Sequence, residues 1–294
     1  MFFCDILDSV KARLYMRGMA DMATTHWPFM KMHGAGNDFV VIDGRDTPVD
    51  LTESLVRALA DRHRGVGFDQ LALITEGSDL TITFYNADGS QSAACGNATR
   101  CIAARELAQR AADHLEVHVT GRGMLSAVRN TDGSTAVNMG HPQLGWQDIP
   151  LSRDVDTLSL PIDGDPVGTG MGNPHCTFFV DEMSTLDLAT IGPKIEHHPL
   201  FPERTNVQFA QIVGPDHIRM RVWERGTGIT LASGSSSCAT AVAAARRGLT
   251  GRKVQIDLDG GTLHIDWRDD GVWMSGPTAH VFDGTLTAEF LQSL

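Results

Sequence analysis

Apolar and polar residues alternate with a period of two through many short stretches of this chain. Leu115-Glu116-Val117-His118-Val119, Val254-Gln255-Ile256-Asp257-Leu258 and Leu263-His264-Ile265-Asp266-Trp267 are the clearest. Alternation of this kind puts every second side chain on one face, so each run predicts a strand with one face buried. Two segments break the pattern. Ala98 to Arg110 and Ser236 to Arg247 have helical spacing, and their early turns are small and apolar nearly all round, as in Cys101-Ile102-Ala103-Ala104 and Cys238-Ala239-Thr240-Ala241-Val242. A helix with so little polar face belongs inside a core. A capping box at Asp50-Leu51-Thr52-Glu53 predicts one surface helix, running to about His63.

These elements come twice. Gly34-Ala35-Gly36-Asn37 returns as Gly170-Met171-Gly172-Asn173, an offset of 136 (173 less 37). Gln70 opens the apolar run Leu71 to Thr75, and Asn206 opens Val207 to Val213 at the same offset. A second strand-like run follows in each half and ends at Asn86 or at Glu224. Next come the turns Ala94-Cys95-Gly96 and Ala232-Ser233-Gly234, each leading into one of the two apolar helices. Ordered matches at a nearly constant offset indicate duplication. The expected fold is α/β in the α+β sense: two pseudo-symmetric halves, each a curled, mostly antiparallel sheet around a central helix. A site at their junction would receive one copy of each matched element.

Composition narrows the function classes. The net charge is -12, with 36 acidic against 24 basic residues, which argues against nucleic acid or an anionic membrane as partner. No stretch approaches the ~18 apolar residues of a membrane span. The five cysteines, Cys4, Cys95, Cys101, Cys176 and Cys238, are odd in number and far apart, as expected in a reducing cytoplasm. Neither CxxC pairs nor clustered Cys/His spacing suggest zinc. Residues 1–26 carry no signal-peptide pattern and are read as a disordered N-terminal extension outside the fold.

At the junction the matched positions offer five amides, Asn37, Gln70, Asn86, Asn173 and Asn206, together with Glu224-Arg225 and two glycine-rich helix starts led by Cys95 and Ser233. Helix N-termini present unpaired N–H groups and a positive dipole end, so two facing one cleft can hold a carboxylate. The same field is expected to lower the pKa of Cys95. Arg225 can clamp a second carboxylate in bidentate fashion. The set suits a small zwitterion flanked by two acid–base groups. One group removes the α-proton and the other returns a proton to the opposite face, which inverts the centre.

At these residues the sequence resembles the diaminopimelate epimerases. The resemblance runs over residues 30–294 and includes Lys31-Met32-His33-Gly34, Gly36-Asn37-Asp38-Phe39, Gly67-Phe68-Asp69-Gln70 and Tyr85-Asn86-Ala87-Asp88-Gly89-Ser90. It continues through Cys95-Gly96-Asn97-Ala98-Thr99-Arg100-Cys101, Gly172-Asn173-Pro174-His175, Arg204-Thr205-Asn206-Val207 and Glu224-Arg225-Gly226-Thr227-Gly228. It implies interconversion of LL- and meso-diaminopimelate, in lysine and peptidoglycan precursor synthesis, with no cofactor and no metal. It implies Cys95 as one base/acid, with His175 and Glu224 adjusting the two thiol pKa values. The amides and Arg225 would grip the distal centre, and the N–H groups at Gly96-Asn97 and Gly234-Ser235 would hold the reacting carboxylate. It also implies a first half over 27–143, to which 278–294 return, a second half over 144–277, and a cytoplasmic homodimer.

One departure matters. The family has cysteine where Ser233 stands. A hydroxyl has no accessible anion near neutral pH, so the chain as written is expected to epimerise poorly. An engineered Cys-to-Ser change is the economical account, and a natural variant the alternative. Ile229, where many family members have Glu, is a milder departure. Two other functions compete: a proline or hydroxyproline racemase, epimerase or dehydratase of the same fold, and a non-catalytic amino-acid-binding protein. Arg225 and the amides favour the dicarboxylate substrate over a ring substrate with one carboxylate.

Overall fold

The computed structural model describes residues 26–46, 49–75, 80–92 and 95–293. The N-terminal extension expected over 1–26 lies, but for His26, outside the described residues, as does Cys4.

The first half opens with β1 (Trp27–Gly34) and β2 (Asn37–Asp43), an antiparallel pair. Helix α1 (Glu53–Ala60) leads to β3 (Gln70–Thr75), which lies parallel to β2. Then follow β4 (Leu80–Asn86) and β5 (Gln91–Ser92), antiparallel neighbours of β3 and β4 in turn. Helix α2 (Gly96–Gln109) crosses to β6 (His114–Val119), β7 (Gly123–Arg129) and β8 (Thr135–Asn138). The second half repeats this order: β9 (Val167–Gly170), β10 (Pro174–Phe179), helix α3 (Leu188–Glu196), β11 (Asn206–Gly214), β12 (His217–Glu224) and β13 (Gly228–Thr230). Helix α4 (Gly234–Arg246) then leads to β14 (Lys253–Leu258), β15 (Gly261–Arg268) and β16 (Gly271–Gly276). The chain ends with β17 (Ala279–Leu286), antiparallel to β1, and the short helix α5 (Ala288–Gln292).

The pairings repeat with the sequence. Parallel β2–β3 sets Phe39 beside Gln70, and parallel β10–β11 sets His175 beside Asn206. Parallel β4–β6 pairs Ile82 with Val119, as β12–β14 pairs Arg219 with Asp257. The halves meet where β8 pairs antiparallel with β16, Val137 opposite Met274. Val137 faces Ala127 on β7, and Met274 faces Ile265 on β15. Val137 and Met274 therefore hold the same place in the two halves, and a pseudo-two-fold axis passes between them.

One apolar core runs through both halves and includes Ala98, Cys101 and Ile102 of α2 with Cys238, Ala239 and Val242 of α4. Smaller cores lie outside it, beneath α1 in the first half and α3 in the second. Cys101 and Cys238 are fully buried, as two small apolar helices at the centre require. The surface helix differs from the expected capping box. Thr52, not Asp50, is its N-cap, accepting the N–H of Leu55 at 3.2 Å, and the helix stops at Ala60. Among the described residues, no helix is long and apolar enough to cross a membrane.

Candidate active site

The two central helices meet at their N-termini. A Cβ on Gly234 would lie 3.7 Å from the Cα of Gly96, 2.9 Å from Met274 Sδ and 3.1 Å from Met274 Cε. A Cβ on Gly96 would lie 2.8 Å from Met139 Cε and 2.9 Å from Met274 Cε. Glycine at both positions leaves room for the ends of Met139 and Met274 between the two first turns. Cys95 and Ser233 are the two N-caps, so they head the helices on either side of the pseudo-axis.

The two caps sit at matched positions, but their bonding partners differ. On the first side Gln70 Nε2 donates to Asn86 Oδ1 and to Ser92 Oγ, both at 3.2 Å. On the second side Glu224, at the place of Asn86, accepts from Thr230 Oγ1 and from Ser233 Oγ, the latter at 2.8 Å. Cys95 Sγ accepts the N–H of Ala98 at 3.4 Å and donates to Asn37 Oδ1 at 3.7 Å. Asn37 Oδ1 also accepts from Asn97 Nδ2 at 3.3 Å, while its own Nδ2 donates to Asp69 Oδ2 at 2.9 Å. Arg100, fully buried, holds Asn97 Oδ1 at 2.9 Å and the carbonyl of Pro277 at 3.0 Å. Asp69 is bonded to Arg62, which also binds Asp38, and Asp38 is paired with Lys31.

The electrostatics correct one expectation. Burial pushes the Cys95 thiol up to about 12, and the negative charges of Glu224 and Asp69 add to the rise against a single helix N–H. The helix start does pull the value down, but desolvation outweighs it. Cys95 is a neutral thiol here. Glu224 is raised too, by burial first, with the bonds from Thr230 and Ser233 working the other way. For Asp69 burial again comes first, and the charge of Asp38 adds to it.

The remaining residues form a second cluster on the α4 side. His175, fully buried on β10, contacts Asn173 Oδ1 through Nε2 at 2.8 Å and Gln208 Nε2 through Nδ1 at 2.9 Å. Burial, reinforced by the charges of Arg225 and Arg122, pushes His175 down to about 3, so it is neutral. Asn206 spends its amide on backbone: Nδ2 donates to the Pro174 carbonyl at 3.0 Å, and Oδ1 accepts the N–H of Arg225 at 3.0 Å. The Arg225 guanidinium reaches the Glu203 carbonyl at 3.1 Å. Ser235 lies in the first turn of α4. Among the described residues no cluster of three or more His, Cys, Asp or Glu could hold a metal ion.

The structure thus gathers Cys95, Asn37, Asn97 and Gly96 around one helix start, and Ser233, Glu224 and Gly234 around the other. Gln70 with Asn86, His175 with Asn173, and Asn206 with the Arg225 backbone stand in separate bonded sets. Asp69, Arg100, Thr230, Gln208 and Ser236 share these networks, yet sequence reasoning assigned them no role. The signal for Gln208 was present in the repeat, where its counterpart is Ala72.

The family model described as diaminopimelate epimerase matches residues 29–145 and 168–281. The chain is 53% identical over 272 residues to the diaminopimelate epimerase of Acidiphilium cryptum, covering 90% of this chain and 98% of that protein. It is also 53% identical over 273 residues to that of Rhodospirillum centenum, covering 90% and 93%. Among solved structures, the fold is similar to a PhzF-family phenazine biosynthesis protein from Bacillus anthracis, with a TM-score of 0.63 at 13% identity over 89% of this chain and 99% of that one.

Proposed function

The chain belongs to the diaminopimelate epimerase family, and from that membership we propose how its site inverts an α-carbon. The protein is an isomerase, an amino-acid epimerase acting on LL- and meso-diaminopimelate. The observation that carries the proposal is the meeting of two helix starts, capped by Cys95 and Ser233, with Glu224 bonded to Ser233.

The reacting carboxylate sits on the N–H groups of Gly96, Asn97, Gly234 and Ser235, where no other charge is needed to hold it. The α-carbon lies between the two caps. Residue 233 passes its own proton to Glu224 as it takes the α-proton, negative charge grows on the substrate carboxylate, and the fixed N–H groups meet that charge as it forms. Cys95 S–H gives its proton to the opposite face, leaving a thiolate that the reverse reaction uses as base. With serine at 233 this first transfer is slow, because a hydroxyl gives up its own proton too reluctantly to serve as a reversible base. Asn37, Gln70, Asn86, Asn173 and Asn206 shape the distal pocket, and Arg225 takes the distal carboxylate. His175 and Glu224 adjust the acid–base groups.

The two halves are taken as 27–143 with 278–294, and 144–277; the pairing of β17 with β1 supports the return of the last residues. The working form is a cytoplasmic homodimer, with diaminopimelate as its small-molecule partner and no cofactor. The test is α-deuterium incorporation into LL-diaminopimelate in D2O, with Ser233 and with Ser233→Cys. Slow exchange in the first and rapid exchange in the second is expected. Binding without exchange in either would overturn the two-base reading.

A further inference from the structure

The two halves are built alike but differ at one place on their inner faces. In the first half Phe39, Val41 and Ala72 fill that place with apolar side chains, and Ala98 of α2 packs against them within the shared core. The corresponding positions in the second half are His175, Thr177, Gln208 and Ser236. The sheet register makes the correspondence explicit: Val41 pairs with Ala72, and Thr177 pairs with Gln208. All four polar residues are 0% exposed. The first half shows that this fold closes without them, so they are not needed for closure. A buried polar set is tolerated only when every member is bonded, and what it then adds is a single fixed arrangement.

The arrangement can be read from donors and acceptors. The Gln208 amide is placed with its oxygen toward Thr177, whose Oγ1 donates to Oε1 at 3.1 Å. The amide nitrogen therefore points at His175 Nδ1, 2.9 Å away, and at Ser236 Oγ, 3.0 Å away. An amide N–H can only donate, so Nδ1 must accept and carries no proton. The ring proton is then on Nε2, where Asn173 Oδ1 accepts it at 2.8 Å. A protonated imidazole would set two donors against each other at Nδ1. Gln208 of β11 and Asn173 bond the ring, Thr177 of its own strand and Ser236 of α4 bond Gln208, and Thr169 of β9 and Asn206 of β11 are the strand neighbours of His175; all are neutral. The charged groups acting on it are Arg122 and Arg225.

We propose that Gln208 is a positioning residue that locks His175 as the neutral Nε2–H tautomer, a hydrogen-bond donor toward Asn173 that cannot accept a proton there. Resting on the epimerase reading, the consequence is that His175 takes no proton from substrate or thiol and acts in the site by holding Asn173 in place.

The test is 1H–15N NMR of the histidine-labelled protein, with the His175 ring signals identified by their loss in His175→Gln. In the wild-type chain Nε2 should carry the proton and Nδ1 should be bare from about pH 5 to 9, a range in which an ordinary histidine titrates. A proton on Nδ1, or an imidazolium, within that range overturns the proposal. In Gln208→Glu the carboxylate offers only acceptors, so Nδ1 should become protonated; a bare Nδ1 there would remove Gln208 from the role. Gln208→Ala, which installs the first half's own residue and keeps the fold available, should give a mixture of tautomers. A single Nε2–H form persisting in it counts against the lock. None of these measurements requires diaminopimelate, so the failure of the epimerase reading and the failure of this one are separate results.

Discussion

Cys95 and Ser233 occupy the same cap position and do different things with it. The larger, softer sulfur reaches the Ala98 N–H of its own helix, while Ser233 makes no cap bond and turns to Glu224. A carboxylate on a serine hydroxyl makes a hydrogen bond; the same carboxylate on a thiol makes a proton relay, because thiol and carboxylic acid are much closer in pKa than hydroxyl and carboxylic acid. Ser233→Cys should therefore raise epimerisation by roughly 10²–10⁴-fold, the range for a positioned acid–base group. Conversion of LL- to meso-diaminopimelate, followed by chiral separation, reads this directly. An unchanged rate in a folded protein that still binds substrate would sink the second-base role of position 233. Cys95 itself gives a prediction of pH sign. Its thiol is pushed up to about 12 by burial, so its thiolate fraction keeps climbing through the alkaline range. The part of iodoacetamide labelling that disappears in Cys95→Ala should increase from about pH 8 to 11 without levelling, whereas an ordinary thiol with a pKa near ~8.5 saturates. A plateau below about pH 8 would mean that the helix field, not desolvation, governs this thiol.

At the scale of elements, the site is a contact between two helix starts, and its tolerance is set by two glycines. A methyl at Gly96 would press on the ends of Met139 and Met274, which are flexible enough to move aside. Gly96→Ala should then cost about 1–3 kcal/mol as overpacking rather than prevent folding. Its N–H groups would shift, however, and catalysis depends on their position more steeply than stability does. In a Ser233→Cys background we expect a modest fall in Tm beside a loss of kcat/KM of at least ~10²-fold, the size of one misplaced oxyanion donor. Losses in the same proportion would make Gly96 a packing residue only. The central helices were legible in sequence because small residues all round admit no surface reading, and their starts fell within two positions of those observed. The start of α1 was misjudged because Asp50 and Thr52 are both good caps, and only the backbone path decides which one N–H group meets. Asp69 and Arg100 carried no local signal, since their partners lie across strands and helices, and Gln208 showed itself only against Ala72 in the repeat. Burial likewise reversed the expected pKa of Cys95, and burial is a property of the packed molecule.

At the scale of the whole molecule, duplication supplies a nearly symmetric frame, and the halves differ in their buried polar residues. The frame was readable from spacing alone; the axis between Val137 and Met274 needed the strand register. The differences are concentrated where the second half replaces apolar core with His175 and its partners, and the molecule's stability should carry their mark. His175 sits at about 3 in the fold and near 6.5 in an unfolded chain. Between those values the unfolded chain binds a proton that the folded one refuses, so stability falls as pH drops through that window and levels off below it. At pH 4 the deficit relative to pH 7 should be about 3 kcal/mol from this residue alone. Other groups also shift with pH, so the useful quantity is a difference between proteins. Urea unfolding of the wild-type chain and of His175→Gln, each at pH 7 and pH 4, isolates it. Glutamine has no proton to gain in this range, so the variant is less stable at pH 7 if its bonds are poorer, yet it should lose about 3 kcal/mol less on acidification. Equal acid losses in the two proteins would show that the folded chain accommodates a charged His175. The polar cluster would then have room to reorganise around a cation, contrary to the bonding read from Gln208.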